Sequence, residues 1–316
     1  MSLVEKALRK LQASRPAPET PPIPVRHGNA AALHERAPKI PAAVVQPLPP
    51  IVEFDPRTRN SKIVAIDRDR LRSVNMLPSI AQEREIAGQF RAIKRPLMRQ
   101  LLEFAGSESG TAHTVMVASA LPSDGKTFTS LNLALSLALE MDFTVLLVDG
   151  DAPKPHLTHT FGLEREPGLL DVLADPKRNV EDVILATDVP GLHFLPTGTR
   201  SETAAELLAS ARMSEVVAQL GSLYRRGMVL FDSPPVLLTS ESRTLAAMLH
   251  HVVLVVRAGV TPQQAVKDAV GILGAAAHVS LVLNDAQLDG PIGYYYGHQY
   301  GHELGAVAAS VAVVDE

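Results

Sequence analysis

Val115-Met116-Val117-Ala118-Ser119-Ala120-Leu121-Pro122-Ser123-Asp124-Gly125-Lys126-Thr127 runs from a β-branched apolar stretch into a short polar loop, and the residues that follow, Phe128 to Glu140, read as a helix. A strand, a loop ending in Gly-Lys-Thr and a helix form a Walker A phosphate loop, here with Ala120 where the first glycine usually stands. The physical requirements remain. Gly125 lets the backbone approach a phosphate closely, and the helix that opens near Lys126 aims its free N–H groups and positive dipole end at an anion. Lys126 would neutralise the β and γ phosphates of ATP, and the Thr127 hydroxyl would ligate Mg2+. Ser123, Asp124, Gly125, Lys126, Thr127 and Phe128 are the nucleotide-binding residues that this reading nominates.

Working outward, two further strands end in acids. Val145-Leu146-Leu147-Val148-Asp149-Gly150-Asp151 carries two carboxylates two residues apart, which alternation sends to one face of the strand tip. Met228-Val229-Leu230-Phe231-Asp232-Ser233-Pro234-Pro235 has the form of a Walker B element. Asp is also a common turn former after a strand. Unpaired acids at the tips of buried strands are costly, so a bound cation or a transferable proton explains them better.

Apolar runs at Val115–Ser119, Thr144–Asp149, Leu192–Leu195, Met228–Asp232, Val252–Val256 and Val279–Leu283 alternate with helical stretches, with a candidate strand at Ile63–Ile66 before them. Continuous apolar strands separated by helices predict an α/β fold of the P-loop NTPase type, a doubly wound, mostly parallel sheet covered on both faces. Ligands of such sheets bind beyond the carboxyl ends of the strands, where these motifs lie. Ile86, Phe90, Ile93, Leu97, Leu101 and Leu102 predict a helix over Ile80–Ala105 that Pro96 would kink or divide.

The organisation expected is a short amphipathic helix over 1–14 and a Pro-rich, disordered linker over 15–60. A strand and helical element over 61–110, the catalytic domain over 111–290 and a flexible tail over 291–316 complete it. Ser2 and Glu5 form a capping box for the first helix, and Lys6, Arg9 and Lys10 line its polar side. A helix so short is marginal alone and calls for a partner or an anionic surface. Four of the chain's 5 tyrosines cluster in Tyr294-Tyr295-Tyr296-Gly297-His298-Gln299-Tyr300, between glycines and beside no charge. The cluster reads as an accessible acceptor segment, or else as an aromatic surface turn or subunit contact. A phenol has a pKa of about 10, so transfer to it needs a carboxylate base, for which Asp149 or Asp151 is the candidate.

Composition bounds the function. With 316 residues and 46% hydrophobic content the chain can bury a core, and with 0 Cys it holds neither disulfides nor thiolate metal sites. A net charge of -4 gives no electrostatic footprint for nucleic acid. No window is apolar enough for a membrane span, and the opening residues lack the apolar core of a secretory signal. The expected location is therefore cytoplasmic, with recruitment to the inner membrane by a partner. His156 and His159, or His250 and His251, show no convergent metal spacing and read as surface or loop histidines.

The three acidic and glycine-rich elements together resemble the bacterial tyrosine kinases that control extracellular polysaccharide synthesis. Those enzymes combine a Walker A, an acidic Walker A-prime strand and an Asp-Ser/Thr-Pro-Pro Walker B. Met1-Ser2-Leu3-Val4-Glu5-Lys6-Ala7-Leu8-Arg9-Lys10 and Phe90-Arg91-Ala92-Ile93-Lys94-Arg95-Pro96-Leu97 look more specifically like the exosortase-associated autokinase branch. The resemblance implies that Asp149 and Asp151 handle magnesium and activate the acceptor hydroxyl, that Asp232 holds magnesium through water, and that the tail tyrosines are autophosphorylated. It also implies a membrane-spanning chain-length regulator or polysaccharide co-polymerase, self-association and a protein-tyrosine phosphatase as partners. Asn284, at the end of a late strand, suits contact with adenine.

Two departures qualify the resemblance. Pro153, followed by Lys154, stands where relatives carry Arg after the second acid, and Gly88, Arg91 and Lys94 replace a Glu-x-x-Arg-x-x-Arg assembly helix. A partition or cell-division ATPase shares the fold class, but its signature lysine is missing at Ala120 and Leu121. A catalytically weak, nucleotide-bound regulator of a co-polymerase is the other alternative. The apolar stretch Leu304–Val314 beyond the tyrosines finds no explanation.

Overall fold

The structure, a computed structural model, describes residues 54–104, 113–274 and 278–286. The amphipathic N-terminal helix, most of the Pro-rich linker, the tyrosine cluster and the apolar C-terminal stretch lie outside the described residues.

The described strands are β1 (Ile63–Val64), β2 (Thr114–Ser119), β3 (Thr144–Asp149), β4 (Leu185–Thr187), β5 (Leu192–Leu195), β6 (Gly227–Asp232), β7 (His251–Arg257) and β8 (His278–Asn284). They form one sheet in the order β1-β4-β5-β3-β6-β2-β7-β8. From β5 to β8 all neighbours are parallel, while β4 pairs antiparallel with β5 and carries β1 alongside it. All six runs expected between Val115 and Leu283 are strands, each within a residue of its expected bounds. The strand expected at Ile63–Ile66 is shorter, because beyond Val64 the chain turns inward and the Ile66 N–H donates to the Asp188 carboxylate at 2.9 Å. Strand β4 was not anticipated. Its three residues are too few to show a period, and pairing with β1 and β5 on either side holds it.

Alternation along the strands feeds two apolar layers. Val145, Leu147 and Leu230 face one side, where they meet α1 (Arg68–Ser73), α2 (Glu83–Phe104) and α3 (Lys126–Leu137) through Leu71, Phe90, Ile93, Leu97, Leu131 and Leu133. Leu146, Val148, Val229 and Phe231 face the other side. There they meet Leu169 to Leu173, Met213 to Leu220, Leu245 and Leu273 from the helices Leu169–Ala174, Ala211–Leu223, Ser240–Met248 and Gln263–Leu273. Strands buried on both faces are why the sequence shows unbroken apolar runs.

Pro96 does not divide α2, which is one helix of 22 residues with Pro96 inside it. Ile93 and Leu97, on either side of the proline, are both buried in the layer beneath, so packing outweighs the missing backbone hydrogen bond. Lys94 is also buried. Its ammonium donates to the Ser136 carbonyl at 2.6 Å and pairs with Glu140 at 2.6 Å, tying α2 to the C-terminal end of α3.

Candidate active site

The phosphate loop owes its shape to two left-handed residues. Ser123 has φ 66° and Gly125 φ 97°, which turn the chain so that α3 starts immediately after Gly125 with no side-chain cap on its first turn. Uncapped N–H groups at a helix start, next to a loop of alternating handedness, are an anion cradle. Ala120 is fully buried in the β2 to loop junction with φ in the ordinary negative range, so its methyl group is accommodated.

Long-range contacts fix this loop. Asp124 is buried and accepts from the Leu121 N–H at 3.1 Å and from the Thr261 hydroxyl at 2.7 Å. The Asn284 amide donates to the Asp124 carbonyl at 2.9 Å. It lies so close to the loop that a Cβ on Gly125 would sit 2.0 Å from Asn284 Nδ2. Asn284, nominated for the base, thus contacts the phosphate loop itself. Phe128, also nominated for the nucleotide, sits on the first turn of α3 against Phe90, ring centroids 6.3 Å apart.

The three acids converge on Lys126. Asp149 and Asp232 are register partners at the tips of β3 and β6, both fully buried. Lys126 Nζ pairs with Asp151 Oδ2 at 2.9 Å. Asp149 Oδ2 accepts from the Thr158 N–H at 2.7 Å, and Asp232 Oδ1 accepts from the Ser130 hydroxyl at 3.0 Å. Asp149 Oδ1 and Asp232 Oδ2 are buried with no partner. Burial, reinforced by the facing Asp232, pushes the Asp149 carboxyl up to about 7 against the Thr158 hydrogen bonds. Burial likewise pushes Asp232 up to about 6, opposed by Lys126 and the Thr127 hydroxyl. For Lys126, burial alone would lower the pKa, but Asp232, Asp151 and Asp149 together raise it.

Two orphaned carboxylate oxygens beside the Thr127 hydroxyl fit a hard divalent cation such as magnesium, whose ligands are oxygens. Among the described residues no cluster of three or more His, Asp or Glu forms a closed metal cage. Position 153 holds an exposed proline, and the backbone N–H of Lys154 donates to Asp151 Oδ1 at 3.1 Å.

Several residues of the site were not read from the sequence. Ser130 lies one helical turn beyond Lys126, so its spacing on α3 was the available signal. Thr158 and Thr197 carried none. The Thr197 hydroxyl donates to the Asp149 carbonyl at 2.8 Å, and its N–H donates to the Thr158 hydroxyl at 3.0 Å, fixing the loop beyond β3. Where β7 and β8 end, a cavity of about 480 Å3 is lined by Val256, Ala258, Val266 and Leu281 to Leu283, with Arg257, Thr261, Gln263 and Lys267.

The histidines divide as chemistry outside the site. His156 and His159 are exposed, as expected, but lie in the short helix His156–Thr160, and His159 pairs with Glu164 at 2.6 Å. His251 is instead buried in β7, its Nε2 at 3.0 Å from the Ser280 hydroxyl, and burial lowers its pKa to about 4.

Residues 114–267 match the model of a family described as an AAA domain. The putative tyrosine-protein kinase EpsB of Ralstonia solanacearum is 40% identical over 160 residues, which are 51% of this chain and 21% of EpsB. The chain thus spans about a fifth of that relative's length. The tyrosine-protein kinase YwqD of Bacillus subtilis is 33% identical over 212 residues, 66% of this chain and 85% of YwqD. Among solved structures, the kinase domain of VpsO is 32% identical with a TM-score of 0.52, covering 66% of this chain and 100% of that one. The kinase domain of the Escherichia coli tyrosine kinase ETK is 27% identical with a TM-score of 0.51, over 61% of this chain and 76% of that one. With the phosphate loop, the paired strand-tip acids and a relative matched over most of its length, this chain belongs to the bacterial tyrosine-protein kinases.

Proposed function

We propose that the chain is an ATP- and magnesium-dependent protein-tyrosine autokinase. Its acceptors are Tyr294, Tyr295, Tyr296 and Tyr300, and it acts in exopolysaccharide synthesis or export. The observation that carries the reading is the pair of unpartnered carboxylate oxygens on Asp149 and Asp232, buried at adjacent strand tips beside Lys126. Isolated buried acids destabilise a fold, and here their neighbours are the groups that phosphoryl transfer uses.

Without nucleotide, Lys126 is held by Asp151. An arriving triphosphate competes for that ammonium, so Lys126 moves to the β and γ phosphates and Asp151 is released. The free N–H groups at the start of α3 bind the same phosphates. Thr127, Asp149 and Asp232 would hold magnesium, which when bound would supply charge neutralisation for the phosphates. The tyrosine oxygen bonds to the γ phosphorus as the bond to the β,γ-bridging oxygen breaks. The phenolic proton passes to a carboxylate, for which Asp151 is the freed candidate and Asp149 the deeper one. The cavity bordered by Thr261 and Leu283 has the size and apolar lining for a nucleobase.

The opening decapeptide and Phe90 to Leu97 support placing the chain in the exosortase-associated branch. No described helix is long and apolar enough to cross a membrane. Recruitment by a membrane-spanning chain-length regulator or co-polymerase, reversal by a phosphatase and self-association complete the reading. Incubation of the purified protein with Mg-ATP, followed by phosphotyrosine mapping by mass spectrometry, tests it beside Lys126→Met. Phosphate on the tail tyrosines that disappears in the variant is expected. ATP hydrolysis dependent on Lys126 but without phosphotyrosine, even with the partner's cytosolic segment added, would replace this reading with a nucleotide-switched ATPase.

A further inference from the structure

Each of the two strand-tip acids gives one oxygen to the protein and leaves the other to the site. Asp149 Oδ2 accepts the Thr158 N–H at 2.7 Å while Oδ1 has no partner. Asp232 Oδ1 accepts the Ser130 hydroxyl at 3.0 Å while Oδ2 has none. Both donor residues are buried, Ser130 completely, and each sits on a helix, α3 for Ser130 and His156–Thr160 for Thr158. The Ser130 hydroxyl carries one proton and has a second acceptor in reach, the Lys126 carbonyl one turn back at 2.9 Å. A hydrogen bond to an ionised carboxylate is roughly twice as strong as one to a neutral carbonyl, so the charged form of Asp232 takes that proton. The Thr127 hydroxyl also lies beside Asp232. With a cation bound its oxygen belongs to the metal, which leaves Ser130 to hold Oδ1.

We infer that Ser130 is a positioning residue that makes the site selective for magnesium over calcium, by keeping one oxygen of Asp232 turned away from the cation. The inference rests on the proposed reading that Asp149 and Asp232 hold the metal, and it adds a determinant of which metal is held. Magnesium demands a near-octahedral shell and keeps several waters, so it needs few oxygens from the protein. Calcium takes a larger, looser shell and readily accepts both oxygens of one carboxylate. The terminal torsion of an aspartate is broad, so nothing within the side chain itself stops it from presenting both. Ser130 supplies the restraint. Without its hydroxyl, Asp232 is free to turn, and both oxygens come within reach of the larger cation. Thr158 restrains Asp149 in the same way. Its donor is a backbone N–H, and the backbone there is fixed by Thr197, whose N–H donates to the Thr158 hydroxyl at 3.0 Å and whose hydroxyl donates to the Asp149 carbonyl at 2.8 Å. No side-chain substitution removes that N–H, so Ser130 is the residue to change.

The test is binding of Mn2+ to the full chain with ADP, read by electron paramagnetic resonance, with Mg2+ and Ca2+ as competitors. In wild type, Mg2+ should displace Mn2+ at lower concentration than Ca2+ does. Ser130→Ala should shrink that preference roughly tenfold, chiefly by weakening Mg2+, which is the scale on which losing a hydrogen bond behind a metal ligand changes affinity. Ser130→Thr, which keeps the hydroxyl, should keep the wild-type preference. Ser136→Ala, which removes another buried hydroxyl of α3, should leave it unchanged. ADP affinity in EDTA should be the same throughout, and matching melting temperatures show that the variants fold. An unchanged preference in Ser130→Ala overturns the inference. So does a fall in metal-free ADP affinity that matches the loss of Mg2+, since Ser130 would then support the phosphate loop through the Lys126 carbonyl. Failure of the underlying reading looks different. Mn2+ binding that Asp232→Asn leaves intact would remove the cation from Asp232, and the inference with it, whatever the Ser130 variants do.

Discussion

Replacing Asp232 by Asn should stabilise the protein when metal and nucleotide are absent, although it removes a residue placed in the site. Asp232 is fully buried, its Oδ2 has no partner, and its pKa stands at about 6 against an ordinary 3.8. Between those values the folded state holds a proton that the unfolded chain has released, so stability falls as pH rises through that window. Above pH 6 the penalty is fully present. A rise from 3.8 to about 6 corresponds to a ceiling of roughly 3 kcal/mol. Asp149, raised to about 7 partly by Asp232, shares the mutual repulsion, so the two penalties do not add. The amide of the Asp232→Asn variant would keep an acceptor for the Ser130 hydroxyl and remove the charge. We expect a gain of ~1–2 kcal/mol at pH 8, a rise in Tm of roughly 2–8 °C for a domain of this size. At pH 5, midway through that window, roughly half of the advantage should remain, because the unfolded carboxyl is still ionised there; it should vanish only below about pH 4. Thermal melts in EDTA at the two pH values measure this, and magnesium added at pH 8 should stabilise wild type more than the variant. If the variant melts at or below wild type at pH 8, or keeps its full advantage at pH 5, the account of these carboxylates is wrong.

Gly125→Ala should abolish ATP binding by calorimetry and cost on the order of 1–3 kcal/mol, since the loop needs φ 97° there and the new methyl would meet Asn284 Nδ2 at 2.0 Å. Adding Asn284→Ala should recover part of the Tm but not the ATP binding. Phe194→Ala should cost about 3–5 kcal/mol in denaturant unfolding, because the ring is 1% exposed and meets Phe161 edge-on at 4.9 Å. Deleting residues 1–50 should leave ATP affinity unchanged in the same titration. Extending the deletion through residue 60 should lower Tm, as it removes the Phe54 contact with Tyr224 and the Arg59–Glu181 pair at 2.9 Å.

The strands that carry chemistry were legible because the sheet buries both of their faces. Val145 to Asp149 must be apolar throughout, and the break in that pattern at Asp149 marks where the strand meets the site. The same logic failed for Leu185–Thr187, where three residues held between β1 and β5 need no pattern of their own. Pro96 does not divide α2 for a related reason. Local rules see a missing N–H, whereas the helix is held by Ile93 and Leu97 against a sheet that lies later in the chain.

The support of the phosphate loop shows why spacing alone stops short. Asp124 reads as an ordinary loop acid, yet it is buried by contacts with Thr261, 137 residues away, and Asn284, 160 residues away. Both partners sit where β7 and β8 end, and those strands flank β2 on the side away from β3 and β6. The loop is therefore held from one side by the hydrogen bonds of Thr261 and Asn284 to Asp124 and faces the other acids through Lys126 and Thr127. The division has a physical consequence. Ser123 and Gly125 are held in their left-handed conformations by contacts on the β7 and β8 side, which do not involve Asp149 or Asp232. Charge can then change at the acids while the cradle for the phosphates stays fixed, which is the preorganisation that transfer by positioning requires.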